Sequence, residues 1–254
     1  SPRVLRYLCS QSPVLSTPPM KKLIIVLGAH RSGTSLCAAA LECLGAQLGL
    51  DSHYRNEENE KGFFENPDIV QFNDRLLSFL GGSWDNPLFY GPTALAQADL
   101  EPWRDEAVAL FESIYADFSV AAVKDPRMCQ LLGFWIPVFE ASGYGRENLF
   151  FVHIFRNPVE VALSQRRRAI DNPAYYEIGN NIMEGAALWL SMTAQSLIQS
   201  KGLNNYFISY HELIEAPERV IEGLSAFLRL EPDRRRVKSF CEDFVDKSLH
   251  RTVC

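Results

Sequence analysis

The stretch Lys22-Leu23-Ile24-Ile25-Val26-Leu27-Gly28-Ala29-His30-Arg31-Ser32-Gly33-Thr34-Ser35 decides how the whole chain is read. Its first six residues form a short, β-branched apolar run of the kind buried in a parallel sheet. A turn of small residues follows, and Thr34 to Leu44 then reads as a helix ending near Gly45. Strand, turn and helix N-terminus in that order make a phosphate-binding loop, whose amides and helix dipole both face an anion. Gly28 and Gly33 have the spacing of nucleoside-triphosphate enzymes, but Thr34 stands where those enzymes carry lysine. The Walker lysine reaches the β- and γ-phosphates, and the hydroxyl after it holds Mg²⁺. Here the charge has moved into the loop, at Arg31. Arg31 with the hydroxyls of Ser32, Thr34 and Ser35 suits a shorter phosphate–sulfate unit that needs no metal.

Outward from this loop, strands alternate with helices. Asn66-Pro67-Asp68 opens a helix that runs to about Leu80, with Asn as N-cap and Pro at the first position. Residues 51 to 62 read as a polar surface loop, and residues 83 to 100 as an irregular one. Pro102 to Phe118 is helical, and Val120 to Val123 is a second strand closed by Lys124-Asp125-Pro126. Leu149 to Phe155 is a third strand, followed by Arg156-Asn157-Pro158 and a helix to about Ile170. Ile182 to Ser200 is a long helix, Tyr206 to Ser209 a fourth strand, and Ala216 to Leu228 and Asp233 to Phe244 are two last helices. The alternation predicts an α/β fold: one domain, with a P-loop-type, mostly parallel sheet flanked by helices on both faces. Ligands of such sheets bind at the carboxyl ends of the strands. Residues 1–19, with four prolines, read as a leader or linker, and residues 20–254 as the domain.

The composition excludes several functions. With 47% hydrophobic and 22% charged residues the chain is an ordinary globular one. A net charge of -6 argues against broad binding to nucleic acid or anionic membrane, so an anionic ligand needs a local cationic cluster. No apolar run is long enough to span a bilayer. The six cysteines show no zinc or redox spacing, which predicts reduced thiols and a cytoplasmic location.

A second anion anchor follows the third strand. Arg156 stands at the strand end, and Ser164 lies nearly two turns into the next helix. A guanidinium and a hydroxyl converging this way hold a phosphate by charge-assisted hydrogen bonds. Together the two motifs resemble those of sulfotransferases that use 3'-phosphoadenosine-5'-phosphosulfate (PAPS). Residues 27 to 36 (LGAHRSGTSL) are similar to the family's 5'-phosphosulfate loop, in the arginine form found in tyrosylprotein and many bacterial members. Arg156-x-Pro158-x5-Ser164 fills every position of its 3'-phosphate motif, and Tyr210-His211-Glu212-Leu213 resembles its Y-E-D-L segment. The resemblance implies that His30, Arg31, Ser32, Gly33, Thr34, Ser35, Arg156, Ser164 and Tyr210 bind the nucleotide. It also implies that Arg31 contacts the bridging oxygen and the leaving phosphate, with no metal, and that the product is adenosine-3',5'-bisphosphate.

Two further residues carry the expected chemistry. Lys124 ends a strand and either faces the cleft or pairs with Asp125 at the surface. Its segment resembles the K-D-P stretch of the tyrosylprotein group, whose lysine assists transfer. Arg127 is a weaker candidate for the same cleft. Glu65 directly precedes a helix N-cap, where the dipole favours its ionised form and hence a role as general base. Gly62-Phe63-Phe64-Glu65-Asn66 resembles a bacterial segment, while Glu57, Glu58 and Glu60 are rival carboxylates. His30 crowds the anion and is not chosen as base. The run Arg166-Arg167-Arg168 is a solvated helix face or a support for an anion, and His250-Arg251 a possible nucleotide cover. The acceptor is a hydroxyl or amine of small-molecule, carbohydrate, lipid or peptide type. Trp84, Phe89, Tyr90, Tyr175 and Tyr176 are candidates to line its pocket. The alternatives are a P-loop nucleoside or small-molecule kinase, or a nucleotide-binding protein without catalysis.

Overall fold

The computed structural model describes residues 21–49, 64–171 and 181–245. The expectations for residues 1–19, for the loop at 51–62 with Glu57, Glu58 and Glu60, and for Tyr175, Tyr176, His250 and Arg251 lie outside the described residues.

Four strands, β1 (Lys22–Leu27), β2 (Val120–Lys124), β3 (Leu149–Phe155) and β4 (Asn204–Ser209), form one sheet in the order β2-β1-β3-β4. Every pairing is parallel, with Val26 beside Lys124 on one flank and Val152 on the other. Side chains alternate across the central strand. Leu23, Ile25 and Leu27 enter one core, while Ile24 and Val26 enter a second. The first core is closed by α2 (Pro67–Phe79), α4 (Glu101–Tyr115), α5 (Met128–Ala141) and α7 (Ile182–Gln199). The second is closed by α1 (Thr34–Glu42), α8 (Tyr210–Glu215) and α9 (Pro217–Leu228). An apolar run with both faces covered was the sequence expectation for β1, and the three-layer α/β architecture agrees.

The chain leaves β1 toward β2, crosses back over β1 to β3, and continues outward to β4. Connections therefore diverge at the carboxyl ends of β1 and β3. A parallel sheet opens its ligand crevice at such a switch point. The free edge of β2 is capped by Gln47, whose amide donates to Val120 O at 3.0 Å and whose carbonyl accepts from Ala122 N at 2.8 Å.

Four helical regions depart from the sequence reading. Residues 83–100 are not irregular throughout: Gly91–Gln97 forms α3, because Pro92 sits in its first turn, where a missing N–H costs nothing. The helix α5 had no sequence counterpart, and α8 follows β4 directly where only a motif was read. The last predicted helix divides into α10 (Arg234–Ser239) and a π-helical turn at Phe240–Phe244. The helix α6 (Pro158–Asp171) matches its expected span within a residue. Among the described residues no helix is long and apolar enough to cross a membrane.

Candidate active site

The loop between β1 and α1 is held by close backbone contacts that only glycine permits. A Cβ on Gly28 would meet Ile154 O at 2.8 Å. Gly33 has φ of 95°, and a Cβ there would lie 2.4 Å from the Tyr210 ring. Arg31 is also left-handed, at φ 71°. A non-glycine residue held there costs energy and clusters at functional sites. Two left-handed residues flanking Ser32 curl the amides inward, the arrangement that makes an anion nest. No side chain caps the first turn of α1, and the buried Ser32 Oγ and His30 Nε2 have no hydrogen-bond partner. Uncapped amides and orphaned polar atoms at a helix N-terminus fit an anionic group.

Across the crevice stands Arg156, buried at the end of β3. Its Nε donates to Glu160 Oε2 at 2.8 Å, and its Nη1 to Arg31 O at 3.4 Å. Its guanidinium lies 4.3 Å above the Tyr210 ring, a cation–π contact. Asn157 accepts from Val159 N at 2.9 Å, the expected N-terminal cap of α6. The Arg31 side chain reaches over to α6, where its Nε donates to Ser164 Oγ at 3.0 Å. Arg31 thus belongs to the phosphate loop by its backbone and to the Ser164 side by its guanidinium. Glu160 was missed by the sequence reading. It is buried between Arg156 and His211 Nε2, the latter at 3.2 Å. Its i,i+4 spacing from Arg156 was the available signal.

The third group joins α1, β2 and the start of α2. Lys124 is buried, and its Nζ lies 2.5 Å from Glu65 Oε1 and 3.4 Å from Ser35 Oγ. The alternative of a surface ion pair with Asp125 does not hold. Asp125 is buried and instead binds Arg127 through its amide and Nη1, each at 3.0 Å, and accepts from Asn73 Nδ2 at 2.9 Å. Trp135 Nε1 donates to Asn73 Oδ1 at 2.8 Å. Burial opposes the charge on Arg127, but Asp125 and Asp74 outweigh it and raise its pKa. Arg127 is therefore a structural cation paired with two carboxylates. Glu65 owes its place to the next residue. Asn66 caps α2 by accepting from Asp68 N and Ile69 N, and donates to Gly49 O at 2.9 Å.

A last cluster faces the loop. The His30 ring lies 4.5 Å from Trp84, which carries the Arg168 guanidinium 5.8 Å above it. Burial, then the charges of Arg127, Arg168, Lys124 and Arg31, hold the His30 pKa well below the ordinary imidazole value. A neutral His30 adds no positive charge to the loop, and it is a poor proton carrier near neutral pH. Arg166 and Arg167 are exposed, as a solvated helix face. Phe89 is buried, and Tyr90 exposed.

Every sequence-chosen residue from His30 to Ser35, with Glu65, Lys124, Arg156, Ser164 and Tyr210, follows the carboxyl end of a strand or contacts a residue that does. Residues 24–234 match the family model described as the sulfotransferase family. The sulfotransferase domain from the curacin biosynthetic pathway aligns with a TM-score of 0.51, over 86% of this chain and 77% of its own, at 18% identity. The sulfotransferase domain from the Synechococcus PCC 7002 olefin synthase gives 0.50, over 93% and 86%, at 16% identity. At such identities the likeness shows the fold alone. No curated protein matches the chain. The family model covers well over half of the sequence and both anion motifs: the chain belongs to the sulfotransferase family.

Proposed function

We propose that the protein transfers a sulfuryl group from PAPS to a hydroxyl or amine acceptor. One observation carries the reading: Arg31 and Ser164, from separate motifs on either side of the switch point, meet at 3.0 Å. Two anion sites one crevice apart suit a nucleotide with phosphate groups at both ends of its ribose. The loop amides with Ser32, Thr34 and Ser35 would hold the 5'-end, and Arg156, Ser164 and Tyr210 the 3'-phosphate. When bound, PAPS supplies an activated sulfuryl group and a stable leaving phosphate.

The remaining work falls to the chain's own residues. Sulfuryl transfer resembles phosphoryl transfer, with a loose transition state and charge building on the leaving oxygen. Arg31 and the loop amides oppose that charge with preorganised donors. Lys124, fixed between Glu65 and Ser35, delivers a second positive charge to the transferring group. Glu65 accepts the acceptor's proton late in the transfer. Its bond to Lys124 keeps it aimed until the acceptor arrives.

The test is a single-turnover assay with sulfur-labelled PAPS and a panel of sugar, phenol, alcohol and amine acceptors, with excess chelator present. Label should move to at least one acceptor class. Transfer of phosphate from Mg²⁺-ATP, with none from PAPS, would overturn the reading.

A further inference from the structure

The helix α7 carries one charged residue in its 18, Glu184, and is apolar around most of its circumference. A helix of that composition in a globular protein is ordinarily buried on all sides. Here only part of it is. Leu188 and Met192 point into the sheet-side core, and Gly185 abuts Ala162 of α6, where a Cβ would lie 3.0 Å from that backbone. The opposite stripe lies open: Met183 is 73% exposed, Leu190 61%, Ile198 54% and Leu197 38%. Ala187 is exposed and Ala194 half-buried on the same stripe.

The spacing is what makes this stripe specific. Met183, Ala187, Leu190, Ala194 and Leu197 follow one another by four, three, four and three residues, the a/d seam of a coiled coil. Large residues occupy every d position and alanine every a position within the helix. The seam runs the helix's whole length, about 27 Å for eighteen residues. Beside it the apolar surface widens. Gln195 binds Gly91 N at 2.8 Å and Phe89 O at 2.9 Å, fastening a segment whose Leu88 and Tyr90 are exposed.

We infer that this face is the interface of a two-fold homodimer, formed by α7 packing antiparallel against α7 of a second copy. An antiparallel pair sets each a position against a d position. Leu190 then fills the space over Ala194 of the partner subunit, and Leu197 that over Ala187 of the partner subunit. Knobs meet holes in every layer, whereas parallel helices would stack alanine on alanine and leave voids. Charge selects the same orientation. Lys201 is exposed just past the C-terminal end of α7, and neither it nor Glu184 has an ion-pair partner among the described residues. Antiparallel packing brings Glu184 beside Lys201 of the partner subunit, twice by symmetry, while parallel packing opposes Glu184 to its own copy. A second copy is thus the occupant for which both shape and charge are complementary.

Sedimentation of the full chain over a micromolar range tests this. Wild type should show a monomer–dimer equilibrium. Leu190→Arg, a change at an exposed site, should give monomers with unaltered circular dichroism. Glu184→Lys or Lys201→Glu alone should weaken the dimer roughly 2- to 10-fold at low salt, and the two together should restore it. Monomers at every concentration, a dimer indifferent to L190R, or a double reversal no tighter than the singles would each overturn the inference. So would a monomeric chain whose binding to neutral phosphatidylcholine vesicles is lost in L190R, which would assign the face to lipid.

Discussion

Lys124 and Glu65 lie 59 positions apart in the chain and 2.5 Å apart in space, each chosen from its own local context. The sequence marked both as cleft residues because each borders a strand end or a helix start. It did not pair them, since sequence spacing says nothing of contacts made through the fold. If Glu65 is the base, Glu65→Gln should lower turnover by about 10²–10⁴ while leaving nucleotide affinity nearly unchanged. Lys124→Met should likewise act on turnover, and Arg31→Ala on turnover and affinity together. Rapid-quench rates with parallel calorimetry separate these effects, and an E65Q enzyme of wild-type rate would remove Glu65 from the chemistry. Glycine positions give a second contrast. Gly33→Ala should abolish nucleotide binding, because its Cβ collides with Tyr210 at a left-handed φ. Gly45→Ala, at φ 78° with nothing within 4 Å, should cost only about 1–2 kcal/mol of stability and leave binding intact. Denaturant melts with a nucleotide titration read both. Equal effects at the two sites would mean that the Tyr210 contact does not shape the loop. Glu160 shows the limit of reading at this scale. A carboxylate in the first turn of a helix looks like an ordinary dipole partner, and only its burial between Arg156 and His211 marks it.

At the scale of elements, legibility followed exposure. The helix α2 declared itself by its cap, its proline and an apolar face. Asn66→Ala should destabilise the fold by about 1 kcal/mol and lower turnover as well, because the cap fixes the neighbouring Glu65. A stability loss with turnover unchanged would show that Glu65 is placed by other contacts. The helix α5 was silent for the opposite reason. Ten of its fourteen residues are buried, so no polar face alternates with an apolar one, and Pro137 and Gly133 lie inside it. The strand β3 offers a pH test. Burial holds His153 below the ordinary 6.5, against the hydrogen bond its Nε2 donates to Asn205 Oδ1, which works the other way. The unfolded chain takes up a proton below 6.5 that the folded chain resists, so this group's stability is present above 6.5 and lost as pH falls. His153→Gln should flatten the acid limb in urea unfolding, and parallel curves would contradict the assignment.

The molecule as a whole is organised by its strand order. Motifs at Gly28–Gly33 and Arg156–Ser164 converge because β1 and β3 are neighbours whose connections leave in opposite directions. Alternating strands and helices made the α/β class and the carboxyl-end site legible before any contact was known. The strand order itself was not, for it depends on which apolar faces meet across the sheet. The central claim is that this convergence recognises a nucleotide by both of its phosphate ends. Isothermal titration of adenosine-3',5'-bisphosphate against adenosine-5'-phosphate, on wild type and Arg156→Ala, tests it most directly. The 3'-phosphate should add about 1.5–3 kcal/mol of binding in wild type, and Arg156→Ala should remove most of that difference. Equal affinities of wild type for the two nucleotides would contradict the account.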